Sequence, residues 1–492
     1  MTFNSEQIIQ EVHAEFEQMI DYVTNEAAYQ ATADQMERGI FTRLLALGKQ
    51  LLTLFFTLRS QHSSRETHVT EEGAALPYHQ DSKRNYHSIF GKIAVYRPYF
   101  YKRQVGSACP LDAELSLGED SYSDMLREMA EYVGVYGVYH KATDMLKRIF
   151  GLHISSRTLQ EQVLTDAQDV TAYYEQKPAP CVEEEAEVLV VQADGKGVPI
   201  ITESPDSHPV RLGKGGKRGH KKEAIVTTAY TLAVTPRTPQ TVLQSYYDLH
   251  TSDTTLASAY TAQSAPQNKH IWATLEGKDT ALERLAWQAQ MRDGDHIHHR
   301  VVLCDGCEAL QLRIQSNFPD FSLILDFIHA NEYLWDVANA LLGETAEQRL
   351  SWMIARTGRL LSGDTRAVID ELRQLSAAPT TTATQRKQLE KTANYFERNL
   401  PYMDYAAYLA LGWPIASGVI EGACRHFVKD RCELSGMRWS LKGAEQLLHL
   451  RAIAENDDWE SFHSYRKLKR HERLYATPFP ASQSLEVVAL AA

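Results

Sequence analysis

The chain has 492 residues, of which 43% are hydrophobic and 23% are charged, and its formal net charge is −12. This composition is ordinary for a globular protein, and the length is sufficient for about three domains. The acidic balance, with a pI near 5.9, excludes a protein whose whole surface coats nucleic acid, so that any nucleic-acid binding must be local. The first residues lack a basic start followed by an apolar core, and a cytoplasmic protein is therefore expected.

Residues 1–75 are predicted to form a helical region. Apolar side chains recur there at helical spacing, for example at Ile8 and Val12. A second apolar stretch, residues 44–58, includes Lys49 and other polar residues, and it is predicted to be a buried helix rather than a membrane span.

Residues 76–176 are expected to contain a β-hairpin element and a helix-turn-helix that binds DNA. The aromatic and β-branched residues of 86–103 indicate the hairpin. Gly151 in a turn and Ser155 or Ser156 as a cap separate two predicted helices with the dimensions of a helix-turn-helix. Many helix pairs have this pattern without contacting DNA, and that alternative stays open. In the DNA-binding interpretation, the exposed start of the second helix contributes Arg157, Thr158 and Gln160.

An aspartate followed by a glycine ends each of two apolar runs. The runs are VVQADGKGV, which contains Asp194, and VVLCDGCEAL, which contains Asp305. Apolar runs of this kind are typical of strands buried on both faces. Ligand groups collect at the carboxyl ends of parallel strands, so two neighbouring strands would bring both carboxylates to one place. The alternative is a pair of ordinary Asp-Gly turns.

A third carboxylate, Glu421, lies in the segment IASGVIEGACRHFVKDR. Ser417 followed by Gly418 is typical of a helix start, and the next apolar residues recur at helical spacing. On an α-helix, Arg425 and Lys429 would follow Glu421 along one edge and could hold a phosphate backbone beside a metal. The alternative is a glutamate that is placed favourably near the helix dipole and pairs with Arg425.

Three gathered carboxylates suit the chemistry of phosphodiesters. In-line hydrolysis or transfer needs an activated oxygen nucleophile and a neutralised leaving oxygen, and two divalent ions supply both. Mg²⁺ takes hard oxygen ligands, and carboxylates also suit Mn²⁺. We therefore expect two Mg²⁺ or Mn²⁺ ions in one active site, held by Asp194, Asp305 and Glu421.

Basic residues are concentrated in three segments. The first, residues 208–222, has no acidic residue, and its glycines predict a loop. The second follows Glu421, and the third spans residues 466–473. A solvated loop or a charged helix face would explain each segment without DNA. The DNA-binding candidates of the first two segments are Lys214, Lys217, Arg218, Lys221, Lys222, Arg425, Lys429 and Arg438.

The remaining boundaries follow from composition and spacing. Prolines and three consecutive glutamates in QKPAPCVEEEAE mark a linker before a catalytic core, whose first part is predicted at 187–330. Residues 331–412 are predicted to be a helical insertion, and 413–475 the rest of the core with the Glu421 helix and basic carboxyl-terminal helices. Residues 476–492 are expected to be a disordered tail. The six cysteines form no disulfide framework, and the lone C-x-x-C does not predict a zinc site.

Four motifs follow one another in a specific order: ADGKGV, VVLCDG, LDFIHANEYLW and GWPIASGVIEGACRHFVKDRCELSGMRWS. In this order they resemble the DDE transposases of bacterial insertion sequences, in particular the Kra-type group related to Mutator-like elements. The resemblance implies an α/β protein with a ribonuclease-H-like mixed sheet and a helical insertion, in which Asp194, Asp305 and Glu421 bind the metals. The accessory motif of the family, Cys or Asp separated by two residues from a following His, is matched by Asp326 and His329. His329 would orient Asp326 or contact DNA, and a structural role is the alternative.

The resemblance covers about residues 86–465. Many relatives carry paired cysteines near the position of Cys109, which stands alone here, so a zinc-bound amino-terminal module is not expected. Asp326 competes with Asp305 for the second metal-binding position. In a ribonuclease-H-like sheet the fourth strand lies beside the first and the fifth at the edge, which favours Asp305. Trp439 is a candidate for stacking on an unpaired base, with burial as the alternative.

The sequence therefore predicts a DNA transposase that binds the terminal repeats of its own insertion sequence, cleaves the DNA and transfers the 3′-hydroxyl ends. Its partner is double-stranded DNA in the nucleoid, with no membrane. Because two element ends are joined in one event, a homodimer or higher oligomer is expected on DNA. One alternative is a non-catalytic DNA-binding descendant of a transposase, in which one or more of Asp194, Asp305 and Glu421 would be replaced. A host nuclease of the same fold that performs no strand transfer, such as a junction resolvase, is the other.

Overall fold

The computed structural model describes residues 4–70, 72–201, 220–247, 263–345, 347–475 and 477–480. Three candidates of the predicted DNA-binding loop, Lys214, Lys217 and Arg218, lie outside these ranges, as do residues 481–492 of the predicted tail. The chain is a mixed α/β protein with a mixed sheet and a helical amino terminus.

Contacts divide the chain into two compact units, which we call the terminal unit and the central unit. The terminal unit comprises Met1–Glu175 and Asp458–Ala492, and the central unit comprises Gln176–Asp457.

The terminal unit combines helices with two small antiparallel sheets. Strands β1 and β2 form one sheet, and β3, β4 and β5 form the other in that order. The strands are β1 His68–Val69, β2 Ala75–Leu76, β3 Tyr78–Ser88, β4 Gly91–Lys102 and β5 Gly106–Ala108. The α-helices are Ser5–Thr24, Ala33–His62, Pro110–Glu114, Asp124–Tyr136, Tyr139–Phe150, Ser156–Asp166, Val170–Gln176 and Trp459–Leu474.

The first two helices form an antiparallel pair, which we call the amino-terminal hairpin. The side chain of Asn4 caps the first helix, and Thr32 and Gln35 form a capping box at the start of the second. The hydroxyl of Tyr22 donates to the carbonyl of Gln35 at 3.1 Å across the pair. Both helices therefore begin where their polar caps satisfy the first backbone N–H groups.

The predicted burial of the second hairpin helix is wrong. Only Phe56 and Ser60 are buried in Ala33–His62, although the helix itself is present. By length and composition this helix is apolar enough to cross a membrane, and 6% of its most apolar window is buried. The apolar spacing predicts a helix correctly, but most of its side chains remain partly or fully exposed.

The predicted β-hairpin is confirmed, and it begins earlier than expected. Strands β3 and β4 pair from Ser88 opposite Gly91 to Tyr78 opposite Phe100. The ring of Tyr86 contacts the ring of Phe56 at a centroid distance of 5.0 Å. This aromatic residue therefore packs inside the terminal unit.

The two helices expected around Gly151 are also present. Gly151 ends Tyr139–Phe150 with φ of 68°, a left-handed conformation that glycine adopts without strain. Ser155 caps Ser156–Asp166 by accepting the N–H of Thr158 at 2.9 Å. The use of this helix pair for DNA binding stays a prediction.

The last described helix, Trp459–Leu474, differs from its expected position. It was predicted to continue the catalytic core, but it packs in the terminal unit. Arg466 on this helix donates to Asp124, which lies 342 residues earlier, at 2.9 Å. Arg473 binds Asp169 in the same unit. Several of the helix cations are thus engaged by acidic residues of their own unit.

The central unit is built on one five-stranded mixed sheet. Its strand order is β10-β9-β6-β7-β8. Strands β6, β7 and β8 are antiparallel neighbours, whereas β9 runs parallel to β6 and β10 parallel to β9. The strands are β6 Val188–Ile200, β7 His220–Leu232, β8 Gln267–Thr274, β9 His299–Cys304 and β10 Ser322–Leu325.

Helices cover both faces of this sheet. Val190, Leu303 and Ile324 face a core formed with helices that follow residue 327. Leu189 and Val302 face the opposite core. The apolar runs of β6 and β9 are thus buried on both faces, as predicted. The α-helices of the central unit are Pro239–Tyr246, Lys278–Arg292, Glu308–Asn317, Phe327–Leu342, Gln348–Leu361, Thr365–Ala377, Ala383–Asn399, Tyr405–Ala410, Gly418–Gly422, Asp430–Cys432 and Leu441–Glu455, with a π-helix at Ala423–Lys429.

Candidate active site

Three aspartates lie at one level of three neighbouring parallel strands. Gln192 and Leu303 are the last paired residues of β6 and β9, and Asp194 and Asp305 each follow two positions later. Asp326 follows the end of β10 in the same register. Adjacent strands lie about 4.8 Å apart, and side chains at equivalent positions of parallel strands point to the same face. The register therefore gathers three carboxylates on one face of the sheet.

Both carboxylate oxygens of Asp194 accept hydrogen bonds. The N–H of Gly195 donates to Oδ1 at 2.6 Å, and the thiol of Cys424 lies 3.3 Å from Oδ2. Burial and the charge of Asp194 raise the pKa of Cys424, so this thiol stays protonated and acts as the donor. Because Cys424 follows Glu421 by three residues, the contact ties the Glu421 segment to β6.

Asp305 lies in surroundings that disfavour its charge. Its Oδ1 accepts the N–H of Cys307 at 3.0 Å. Burial raises the pKa of Asp305, and the nearby carboxylates of Asp194 and Asp326 raise it further. A bound cation would relieve such a concentration of negative charge.

The glycine after Asp305 is required by packing. A Cβ on Gly306 would lie 2.2 Å from the ring of Tyr395. The Asp-Gly sequence here therefore permits a close approach of the helix Ala383–Asn399 to the strand end.

Asp326 is fully buried and saturated with hydrogen bonds. Its Oδ2 accepts the backbone N–H of His329 at 3.0 Å and the Nδ1–H of the same residue at 2.6 Å. Its Oδ1 accepts the N–H of Ser417 at 2.8 Å. The hydrogen bond to Asp326 raises the pKa of His329 to about 9, so the imidazole is protonated at neutral pH. Asp326 thus connects β10 to the start of the Glu421 helix.

Glu421 projects from the short helix Gly418–Gly422, which packs against β6. Partial burial raises the pKa of Glu421, and the charge of Asp326 contributes in the same direction. Ligand atoms of Asp326, His329 and Glu421 lie within 4.8 Å of one another, and this group could hold a metal ion. The structure thus brings Glu421 to the edge that carries the aspartates.

The segment beyond Glu421 is not the regular α-helix that the sequence predicts. Residues Ala423–Lys429 adopt a π-helix, in which the hydrogen bonds join positions five apart. The placement of Arg425 and Lys429 on one edge with Glu421 therefore stays a prediction. Both basic side chains are exposed.

Three residues of the site were missed in the sequence. Lys196 follows Asp194 by two positions on β6, so it shares the same face, and its charge lowers the pKa of Cys424. It makes no ion pair with a described residue. Glu332 lies three residues after His329 on one helix, and it raises the pKa of Glu421. Spacings of two on a strand and three on a helix are the signals that could have found Lys196 and Glu332, whereas nothing local marks Cys424.

The described DNA-binding candidates of the central unit are mostly exposed. Lys221 forms an ion pair with Glu433, and Lys222 and Arg438 are exposed. Trp439 follows the burial alternative, because the residue is 6% exposed and its Nε1–H donates to the carbonyl of Cys432 at 3.0 Å. Its ring faces are therefore not free to stack on a base.

In the terminal unit, the candidates at the start of Ser156–Asp166 have local partners. Arg157 is exposed and pairs with Glu161 at 2.9 Å. The hydroxyl of Thr158 lies 2.8 Å from that of Ser155, and Gln160 is half-buried. Contact with DNA by these three residues stays a prediction.

Comparison with known proteins adds little to what the geometry of the site indicates about function. No protein-family model and no curated protein matches the chain. Among solved structures, the chain is similar to a Drosophila P element transposase strand transfer complex, with 9% sequence identity over 70% of this chain and 81% of that chain. The TM-score is 0.24, at which the likeness carries no argument. The function proposed below therefore rests on the site and the sequence motifs.

Proposed function

We propose that the chain is a metal-dependent DNA transposase, which cleaves the ends of its own insertion sequence and joins the freed 3′-hydroxyls to target DNA. The observation that carries the proposal is the alignment of Asp194, Asp305 and Asp326 at one sheet level, with Glu421 at the same edge. The strand order supports it, because three antiparallel strands with the fourth beside the first and the fifth at the edge is a ribonuclease-H-like order. Together with the ordered motifs, this favours a Kra-type DDE transposase.

We assign Asp194, Asp305 and Glu421 as the ligands of two Mg²⁺ or Mn²⁺ ions. Their carboxylate oxygens match the hard-ligand preference of these ions. Asp326 is not assigned, because it is fully buried and its two oxygens already accept three hydrogen bonds, from His329 and Ser417. His329 is not assigned either, since Mg²⁺ and Mn²⁺ prefer oxygen ligands to an imidazole nitrogen. Proximity alone would group Asp326, His329 and Glu421. We assign the ligands instead by which side chains have oxygen atoms available to bind a metal.

The residues around the ligands have separate tasks. When bound, the ions would activate the attacking water or 3′-hydroxyl and stabilise the leaving oxygen. Cys424 orients Asp194, and Asp326 holds the start of the Glu421 helix through Ser417. Lys196, beside Asp194, is suited to bind a phosphate of the DNA. No covalent bond between protein and DNA is required.

DNA binding is proposed to be local, because the whole chain is acidic. Lys222, Arg425, Lys429 and Arg438 are exposed cations of the central unit that suit a phosphate backbone. Joining two element ends in one event calls for two copies of the chain on DNA. The expected place of action is the nucleoid in the cytoplasm.

The decisive experiment is a cleavage and strand-transfer assay on DNA that carries the terminal repeats of the element. The wild-type protein is compared with and without Mg²⁺ or Mn²⁺, and with Asp194→Asn, Asp305→Asn, Glu421→Gln and Asp326→Asn. We expect the first three variants to lose more than about 100-fold of the joining activity. Asp326→Asn should retain more activity than these three, since it changes no metal ligand. Asp279→Asn, an aspartate that is exposed on the surface, is the matched control and should remain active.

The outcomes separate the alternatives. Binding of the repeats without cleavage by the wild-type protein would favour a non-catalytic DNA-binding descendant. Cleavage without joining would favour a nuclease. Loss of activity in Asp326→Asn alone, with Asp305→Asn active, would contradict the assignment of Asp305.

A further inference from the structure

Each helix of the amino-terminal hairpin carries exposed apolar side chains at regular spacing. Those of the first helix recur after seven, four and three residues and are 39% to 53% exposed: Ile9, Phe16, Ile20 and Val23. This spacing places all four on one side of an α-helix. Those of the second helix are Phe41, Leu44, Leu51 and Phe55. The hairpin thus presents apolar stripes along both helices.

The exposed stripe of the first helix is not the part of that helix that is buried in the hairpin. Within the first helix, a different set of apolar residues, including Ile8, Val12 and Met19, is partly buried. The exposed stripe lies beside that set, so the helix has more apolar surface than one partner helix covers. Apolar surface of this extent on a folded protein marks an interaction site.

We propose that the amino-terminal hairpin is a dimerisation surface, in which Ser5–Thr24 of one copy packs against Ala33–His62 of a second copy. Two hairpins would form a four-helix bundle about a two-fold axis, where the same surface serves both partners. The surface exists without DNA, so the dimer forms before any element end is bound. This proposal does not rest on the metal chemistry of the central unit.

The charges of the two helices favour this pairing. Ser5–Thr24 has five acidic residues and no Lys or Arg, whereas Ala33–His62 has four Lys or Arg and two acidic residues. An acidic helix of one copy would therefore lie beside a basic helix of the other. Opposite charges at the edges of an apolar seam select the partner and its orientation.

The charges of these two helices also argue against a membrane as the partner of the hairpin. The acidic first helix would be repelled by an anionic bilayer surface. Arg43 and Lys49 lie near the middle of the second helix, where a spanning segment would place them in the hydrocarbon core at high cost.

The available surface is of the right order for a dimer. A hairpin face about 30 Å long and about 20 Å wide presents about 600 Å² before side-chain relief is counted. A stable interface buries about 800 Å² on each partner.

The test measures the mass of the full chain by analytical ultracentrifugation or light scattering without DNA. We expect twice the chain mass of 55.7 kDa at micromolar concentration. The double variant Phe16→Lys with Ile20→Lys should raise the dissociation constant of the dimer at least about 100-fold. Leu312→Lys, at a side chain that is 60% exposed in the central unit, is the control and should leave the dimer intact. Thermal melts verify that the double variant folds, because both altered side chains are exposed.

A second measurement separates the membrane from the second copy. Flotation with vesicles of phosphatidylcholine and phosphatidylglycerol should recover no protein. A wild-type monomer, a dimer that the double variant does not weaken, or flotation that the double variant abolishes would each overturn the proposal. Because DNA joining is assayed separately, failure of the dimer and failure of the transposase activity are distinguishable.

Discussion

The terminal unit and the central unit both gather buried carboxylates, and they differ in what neutralises the charge. In the terminal unit, Asp166 lies between Arg127 and Arg466. Burial alone would raise the pKa of Asp166, but the two guanidinium groups lower it to about 2. In the central unit, burial and like charges raise the pKa of Asp305. A buried carboxylate that is paired with arginines is therefore structural, whereas one that lies among other carboxylates suits a cation.

Glu131 is the exception within the terminal unit. Burial raises the pKa of Glu131 well above its usual value, and the neighbouring Asp166 contributes to the rise. This shift favours the neutral form of Glu131, which adds no further charge to the network. Because neutral Glu131 does not compete for Arg127 and Arg466, both guanidinium groups stabilise the charged form of Asp166.

The largest expected effect is the loss of stability when Arg466 of the terminal unit is replaced. Arg466 is 1% exposed and binds both Asp124 and Asp166. Arg466→Ala leaves these carboxylates buried without their cation, and we expect it to lower the free energy of unfolding by about 3–5 kcal/mol. Urea denaturation followed by circular dichroism measures the change.

The control for this prediction is Arg473→Ala on the same helix. Arg473 pairs with Asp169, but its side chain is 42% exposed. Asp169 is buried, but the guanidinium of Arg473 stays partly in water, so this variant should lose less stability than Arg466→Ala. Equal losses in the two variants would show that burial is not what makes Arg466 important.

The second effect concerns the carboxylates that lack arginines. Mn²⁺ should stabilise the wild-type protein by about 2.7 kcal/mol when its concentration is 100 times the dissociation constant. Asp305→Asn should lose most of this stabilisation, while the surface variant Asp279→Asn keeps it. Thermal melts with and without Mn²⁺ measure both, and an unchanged response in Asp305→Asn would remove Asp305 from the metal site.

The third effect tests the hydrogen-bonded pair of Asp326 and His329. Because the folded pKa of His329 is raised to about 9, its stabilisation is fully present below the unfolded pKa of about 6.5 and is lost as pH rises through about 9. We expect His329→Gln to lower the free energy of unfolding by about 1–2 kcal/mol near neutral pH. The difference from the wild-type protein should shrink at about pH 10. Denaturant melts at the two pH values check this, and a difference that grows with pH would contradict the charged pair.

The smallest effect is expected at Cys424. Its thiol is a weak donor to Asp194, so Cys424→Ala should weaken Mn²⁺ binding by only about threefold, whereas Cys424→Ser keeps a donor and should bind nearly normally. Isothermal titration of Mn²⁺ compares the variants. Equal weakening in both would indicate that packing of the sulfur, rather than hydrogen bonding, positions Asp194.

Local patterns in the sequence predict much of this arrangement. The apolar runs before Asp194 and Asp305 predict the two strands, because a strand buried on both faces needs continuous apolar residues. Helical spacing after residue 331 predicts the helices that cover one face of the sheet. The metal-binding assignment of these carboxylates rests on proximity together with the motifs, and it stays a prediction.

Long-range partners explain what the sequence does not predict. The charges of Trp459–Leu474 indicate a solvated or DNA-binding helix until Asp124 and Asp166 are found beside Arg466. Hydropathy predicts that Ala33–His62 is buried. It does not indicate whether the surface that covers this helix belongs to the same chain or to a second copy. The sulfur of Cys424 reaches Asp194 across 230 residues, and no local spacing encodes that contact.

The π-helix at Ala423–Lys429 has a consequence for how this segment tolerates insertion and deletion. A wider turn accommodates one residue more than an α-helix of the same span, so the residues that follow are rotated by about 100°. Removing a single residue there would allow a continuous α-helix. The side chains between Glu421 and Cys432 would then point in different directions. The length of this segment, and not only its composition, therefore sets the direction in which its side chains point.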